Sequence, residues 1–279
     1  MAAKNTLRTW ARLMRTYAKM DALYFLRDTR ICLLYMFSDS VVSISGVFGM
    51  LLLAGRLGQS TGFSQNELYF LAACALLVNG LYDLFFMNNN AGAPSRIIGR
   101  GQLDHALIQP VPLPLHFITN GFAPASGCGT LLCGVAFSLW AAARLPGGVW
   151  LVAKALPLLV LSVGILFAWV YGVSALAFWA PYAAEEIAPD VTALFSSLAA
   201  YPLEVLGRFA QFFLCGLLPV GAMAWLPTSV LLGKAAPGPS IGLLAATAAA
   251  SGLVAATIFR KGLNHYAKVS CPRYTGFGR

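Results

Sequence analysis

Six long apolar stretches dominate this 279-residue sequence and restrict the folds that it can adopt. They run over residues 31–54, 68–87, 117–143, 149–180, 209–225 and 241–259. A helix needs about 20 mostly apolar residues to cross the hydrocarbon of a bilayer. Only 10% of the residues are charged, against about 25% in soluble domains. The sequence therefore predicts an all-α polytopic membrane protein, a single domain over residues 1–279 with six transmembrane helices, and it excludes a nucleic-acid binder and most soluble enzymes.

Basic residues give the predicted orientation. Loops that carry an excess of Lys and Arg stay on the cytoplasmic side of a membrane. With six spans and both termini inside, 15 of the 19 basic residues are cytoplasmic and four are not. The start of the sequence shows no short apolar core followed by a small-residue cleavage site, so we expect no removable signal peptide.

The N-terminal 30 residues have the pattern of an interfacial helix. Arg8, Arg12, Arg15 and Lys19 fall on one side at helical spacing, while apolar and aromatic residues fall on the opposite side. Such a helix lies in the membrane surface, with its basic stripe on anionic headgroups. The segment 1–30 is predicted to contact membrane lipids, either as a topology anchor or with a more active mechanical role.

The loop over residues 93–114 is the most informative polar segment. Gly99 and Gly101 permit a sharp turn, the stretch 103–108 has room for a short helix, and prolines follow it. Leu103, Leu107 and Ile108 are predicted to share one side, which suits docking into a protein groove. A bare connecting loop is the alternative.

Two carboxylates, Asp39 and Asp83, lie inside the first and second apolar stretches. Because a charge in the bilayer is costly, each is expected to face a partner or a watery cavity. One interpretation is a polar patch on the path of a transported molecule. The other is a structural pairing with Asn88 or Asn89, or with Arg27 and Arg30.

Three motifs resemble the membrane subunits of ABC-2 type exporters, in particular a bacterial subfamily first described as a domain of unknown function. The first two are the basic N-terminal helix and the pattern Ile-x-x-Gly-x-Leu-Asp-x-x-Leu-x-x-Pro at 98–110. The third is a set of later proline elements, at Tyr201-Pro202, Leu218-Pro219-Val220 and Leu226-Pro227. Relatives often have Arg where this chain has Gln109 before the closing proline.

The resemblance implies a permease in a bacterial cytoplasmic (inner) membrane. Two such subunits, alike or unlike, form the export path, and the 93–114 loop acts as a coupling helix on a cytoplasmic ABC ATPase. The expected contact residues are Arg100, Leu103, Asp104, Leu107 and Ile108. The resemblance also implies that 226–240 is an outer re-entrant or loop segment. Two interpretations remain for residues 182–205, which are predicted to form either a cytoplasmic helix or part of a broken span.

We expect this chain to have no catalytic activity of its own. The phosphate-binding pattern G-x-x-x-x-G-K-[ST] does not occur, so ATP and Mg are expected on a partner ATPase, and the chain is predicted to bind no cofactor, to hold no metal and to have no catalytic residue. Two rival hypotheses are an ion-coupled secondary carrier and a membrane-embedded lipid-processing enzyme that uses Asp39 and Asp83. The cargo is not predicted beyond a preference for an amphipathic molecule.

Overall fold

A computed structural model of the chain describes residues 2–60, 62–87 and 93–269, and within these ranges the regular structure is entirely helical. Four helical segments are long and apolar enough to cross a membrane. They are Thr29–Arg56, Gln65–Phe86, Trp150–Phe178 and Pro237–Lys268. These segments agree with the first, second, fourth and sixth predicted spans.

Twelve α-helices are found in the described part of the chain, and short π- or 3₁₀-helical turns extend some of them. They are α1 (Ala2–Arg27), α2 (Thr29–Ser60), α3 (Gln65–Tyr82), α4 (Ala93–Gly99), α5 (Leu103–Leu107), α6 (Leu113–Thr119), α7 (Gly129–Ala142), α8 (Trp150–Ser174), α9 (Pro181–Ala199), α10 (Arg208–Phe212), α11 (Trp225–Leu231) and α12 (Pro237–Val269). A π-helical turn over Asp83–Met87 continues α3, and a 3₁₀ turn over Ala175–Phe178 continues α8.

Helix α3 lies at the centre of the bundle, in contact with α2, α7, α8 and α9. Small residues allow the closest of these approaches. A Cβ atom at Gly80 would lie 2.5 Å from the backbone of Leu131 on α7, and one at Gly134 would lie 3.2 Å from the backbone of Leu76. Close backbone approach through small residues is the usual way in which membrane helices pack, because lipid supplies no hydrophobic driving force between them.

The third predicted span is not one continuous helix. Residues 120–128 form a turn region between α6 and α7. Gly121 lies so close to the Phe86 carbonyl that no side chain fits there, and Pro124 follows three residues later. The 14 residues of α7 cover about 21 Å, less than the roughly 30 Å of a hydrocarbon core.

The prediction of a fifth span over residues 209–225 is wrong. Helix α10 ends in a π-helical turn at Phe213–Leu217, the chain is extended at Leu218, and turns lead into α11. Pro219 disfavours helical geometry at the residue before it. Gly221 packs against the side chains of Leu203 and Cys215. The segment 200–231 is therefore a compact set of short elements.

Helix α9 settles the structure of most of 182–205. It starts with Pro181 in the first turn, where proline is tolerated, and it packs on α8 and α3. Phe195 is fully buried with its ring centroid 5.8 Å from that of Trp169. The Ser196 hydroxyl donates to the Asn79 amide oxygen on α3 at 3.0 Å. This 19-residue helix is thus part of the bundle.

Residues 226–240 comprise the rest of α11, a turn with Gly233 at φ 72°, and the start of α12. Lys234 in this turn pairs with Glu67 at 3.0 Å, donates to the Gly62 carbonyl and lies over the Phe63 ring. Glu67 also completes the capping box of α3 with Ser64. The turn is thereby fixed to the α2–α3 connection, at the end of the bundle opposite the 93–114 loop.

Candidate functional site

The 93–114 loop forms a compact helical element. Helix α4 ends at Gly99, Gly101 takes a φ of 68° in the turn, and α5 occupies Leu103–Leu107. The chain then passes through Pro110 and Pro112 into α6. The short helix and sharp turn expected from the sequence are present.

One side of α5 is part of the protein core. Leu103 has no exposed surface and Ala106 is buried, in a cluster with Ile98, Phe178 and Tyr266. These partners belong to α4, to the end of α8 and to α12. The prediction that Leu103 shares an exposed docking side with Leu107 and Ile108 is therefore wrong, because Leu103 fixes α5 to the bundle.

Asp104 is exposed, but its carboxylate is tied to α12. The Tyr266 hydroxyl donates a hydrogen bond to its carboxylate at 2.8 Å. Around this bond, Phe117, Phe178, Phe259 and Tyr266 form a chain of edge-to-face ring contacts, with centroids 5.5 to 6.1 Å apart. Edge-to-face pairs are a favoured aromatic geometry. This aromatic cluster joins α6, α8 and α12 beneath the loop.

The outer side of α5 is open. Leu107 is 46% exposed and Ile108 is 80% exposed, and Arg100 in the preceding turn is also exposed. Two neighbouring aliphatic side chains at the tip of a rigid projection form an apolar surface that is bordered by charge. Of the five predicted contact residues, Arg100, Asp104, Leu107 and Ile108 are exposed, whereas Leu103 is buried.

A second candidate region is a cavity of about 580 Å³ lined by α2, α3, α9 and the first turn of α7. Asp39 and Asp83 both line it, so the structure brings the two intramembrane carboxylates together. Asp83 lies within hydrogen-bonding reach of the Thr130 side chain and close enough to Asp39 for electrostatic interaction. Asn79, Thr192 and other small or polar side chains complete the wall.

One of the structural pairings considered for these carboxylates, the pairing with Arg27, is not formed. Arg27 pairs with its neighbour Asp28 at 3.1 Å, not with Asp39. Asn88 and Asn89 lie outside the described residues. Both Asp39 and Asp83 thus face a cavity, which is one of the two surroundings expected for a carboxylate inside an apolar stretch.

Helix α1 carries its basic stripe on an exposed side. Arg8, Arg12, Arg15 and Lys19 are all exposed, while Met14 and Tyr17 are partly buried. Burial raises the pKa of the Tyr17 hydroxyl. The helix begins and ends close to the predicted 1–30, since α2 starts at Thr29.

Asp21 is a residue that the sequence reasoning missed. It is only 6% exposed, and its carboxylate accepts hydrogen bonds from the backbone N–H of Ala125 at 2.6 Å and of Ser126 at 3.2 Å. The Ser126 hydroxyl donates to its other oxygen at 2.5 Å. These partners lie more than 100 positions away in the sequence, so no local pattern points to them. The bonds tie α1 to the turn that separates α6 from α7.

We expect Asp21→Ala to loosen α1 at a cost of roughly 3 kcal/mol, because buried N–H groups lose a charged acceptor. Hydrogen–deuterium exchange of the 2–27 segment and the thermal unfolding midpoint measure the effect. Asp28→Ala is the matched control, with an expected loss of at most about 1 kcal/mol because its ion pair is on the surface. Equal effects of both substitutions would contradict the tethering role.

Comparison with protein-family models finds a match to the family described as ABC-2 family transporter protein, over residues 41–270. The match includes the 93–114 loop, all of α3 with Asp83 after it, and all of α12. It begins within α2, two residues after Asp39. The chain belongs to the ABC-2 transporter family. Neither a search of curated proteins nor a search of solved structures found a significant match.

Membership of the ABC-2 family assigns the chain a general role. It is a permease component of an ABC transporter, a multi-pass membrane protein whose family pairs with an ABC ATPase. Membrane subunits of this family are transport proteins. The match therefore favours the permease hypothesis over the ion-coupled carrier and over the lipid-processing enzyme.

Proposed function

We propose that this chain is the export permease of an ATP-driven transporter in a bacterial cytoplasmic membrane, and that the 93–114 loop receives the motion of a separate ATPase. The observation that carries this proposal is the construction of α5, whose inner side is packed on α8 and α12 and whose tip exposes Leu107 and Ile108. An element packed in this way passes a displacement of its exposed side chains on to α8 and α12. ATP and Mg would be bound by the partner.

The proposed topology keeps six crossings but reassigns two of them. Helix α9 replaces residues 209–225 as the fifth crossing, and 200–236 becomes a re-entrant region on the outer side. The third crossing runs through the broken segment that ends in α7. Arg208 then moves outside, which leaves 14 of 19 basic residues on the cytoplasmic side. Both termini stay cytoplasmic, in agreement with the excess of positive charge.

The coupling step is proposed to run through the aromatic cluster. A partner that pushes on Leu107 and Ile108 displaces α5, and Leu103 transfers the displacement to Phe178 and Tyr266. Since Phe178 ends α8 and Tyr266 lies on α12, both long helices respond together. Gly262 packs directly against the Phe178 ring, so these two helices have little freedom to separate at this point.

The cargo path is proposed to include the cavity with Asp39 and Asp83. Its wall combines two carboxylates with apolar and small side chains, which suits an amphipathic cargo with a polar or cationic group. Helix α2 exposes most of its apolar surface in the single chain. A second permease copy, alike or unlike, that packs along this helix would close the path, and lipids would cover the rest.

A mild substitution tests the coupling step. Tyr266→Phe keeps the ring and removes the bond to Asp104, so we expect about a tenfold lower ratio of transport to ATP hydrolysis, equivalent to about 1.4 kcal/mol for a bond to a charged group. Tyr35→Phe on the exposed side of α2 is the control. An unchanged ratio in the Tyr266→Phe protein would exclude this contact from coupling.

The assay uses inside-out membrane vesicles that contain the chain and its ATPase, and a panel of fluorescent amphipathic compounds. A compound whose uptake depends on the chain and on ATP serves as the reporter cargo in all variants. Vanadate should stop its uptake, whereas a protonophore should not. The opposite response would identify an ion-coupled carrier and would overturn the proposed function.

A further inference from the structure

A polar pocket of about 350 Å³ lies beside the 93–114 loop, between the turn after α4, helix α5 and helix α6. Of the described residues that line it, none is Asp or Glu. The polar side chains that line it are mostly basic or able to donate hydrogen bonds, and six of them are Arg96, Arg100, His105, Gln109, His116 and Asn120. Two guanidinium groups with neutral donors around them form a binding environment for a phosphate group.

The position of the pocket indicates where such a phosphate comes from. Asn120 adjoins Gly121, which packs on Phe86, and Ala123 donates to the Leu84 carbonyl at 3.0 Å. These contacts put one wall of the pocket level with the end of the apolar segment Gln65–Phe86. Arg100 and Gln109, on the loop itself, are exposed. A pocket with one wall at the end of a membrane-spanning segment would lie at the depth of lipid headgroups.

Helix α1 strengthens this assignment. It packs on α6, and the four exposed cations of its basic stripe would attract anionic lipids to the same side of the protein. The pocket lining is also mostly polar, unlike the apolar surface at Leu107 and Ile108 that suits a protein partner. We propose that this pocket binds the phosphate group of an anionic phospholipid from the leaflet adjacent to the 93–114 loop.

Native mass spectrometry of the full chain tests the proposal without any ATPase, so its failure is distinguishable from failure of the proposed transport function. The chain is purified in neutral detergent, stripped of lipid and titrated with phosphatidylglycerol or phosphatidylcholine. We expect one phosphatidylglycerol to be retained in preference to phosphatidylcholine. Arg100→Gln should weaken its binding about fivefold, equivalent to about 1 kcal/mol for one charge near the phosphate, and Arg96→Gln with Arg100→Gln should weaken it further.

Arg260→Gln is the matched control, because Arg260 is exposed on α12 at the same end of the bundle and does not line the pocket. It should leave phosphatidylglycerol retention unchanged. Since Arg100 is exposed, its single substitution keeps the test valid even where the double variant does not fold. Thermal unfolding of each variant verifies the fold.

Four results would overturn the proposal. Equal retention of the two lipids would show no preference for an anionic headgroup, and an equal loss in Arg260→Gln would leave only general attraction to negative charge. Full displacement of the lipid by millimolar glycerol 3-phosphate would identify a site for soluble phosphate esters. Failure of the chain to retain phosphatidylglycerol at all would exclude a lipid site in this pocket.

Discussion

Replacing both Leu107 and Ile108 with aspartate is expected to release the ATPase from the chain and to abolish ATP-driven uptake of the reporter cargo. These side chains are the exposed apolar residues at the end of α5, whose Leu103 and Ala106 are buried. Burial of a Leu or Ile side chain stabilises a complex by about 1.5 to 3 kcal/mol, so the loss of two corresponds to at least about a hundredfold in affinity. The introduced carboxylates add a desolvation penalty.

Co-purification of the ATPase and vesicle uptake measure this effect. Val149→Asp is the control, because Val149 is also an exposed aliphatic residue but lies in the turn before α8, at the opposite end of the bundle. It should retain the ATPase. The double variant should also keep the wild-type thermal unfolding midpoint, since neither side chain is buried. An ATPase that stays bound to the double variant would exclude the tip of α5 as its docking point.

Gly46→Trp is expected to block transport while the ATPase remains attached. Gly46 lines the cavity, and a Cβ atom there meets nothing within 4 Å. The large ring can therefore enter the cavity of about 580 Å³ without disturbing the backbone. If the cavity is on the cargo path, uptake of the reporter should fall at least about tenfold, equivalent to about 1.4 kcal/mol.

The matched control for the cavity is Gly252→Trp. Gly252 lies on α12, is exposed and also has open space around its Cβ position, but it does not line the cavity. This variant should transport at close to the wild-type rate. Asp83→Asn supplies a chemical counterpart, because it keeps the size of the side chain and removes its charge. Normal transport by Gly46→Trp would place the cargo path elsewhere and would leave the carboxylates a structural role.

The sequence was informative where a pattern is local. Apolar runs of sufficient length gave the four long helices, and the Gly99–Gly101 turn with its prolines gave the short helix α5. Both signals depend on residues that are neighbours along one segment. The same holds for the basic stripe of α1, whose four exposed cations follow helical spacing.

The sequence predictions failed where contacts between residues far apart in the sequence determine the structure. Hydropathy favoured 209–225 as a span, yet Pro219 and the packing of Gly221 against Leu203 break it into short elements. Helix α9 contains acidic residues, and only its contacts with Asn79 and Trp169 reveal that it belongs to the bundle.

The candidate site residues also depend on contacts that the sequence does not reveal. Leu103 and Leu107 look equivalent by spacing, but the fold buries one and exposes the other. Asp21 has no sequence signal at all, because its partners Ala125 and Ser126 are brought to it by tertiary structure.

The most direct test of the central claim is to extract the chain from native membranes in mild detergent. ATP hydrolysis is then measured for the chain together with the proteins that co-purify with it. We predict vanadate-sensitive hydrolysis that is carried by a second polypeptide with a phosphate-binding loop, and its loss from the Leu107→Asp, Ile108→Asp double variant. A wild-type chain that is recovered folded and without any ATPase activity, yet still transports the reporter cargo, would contradict the account.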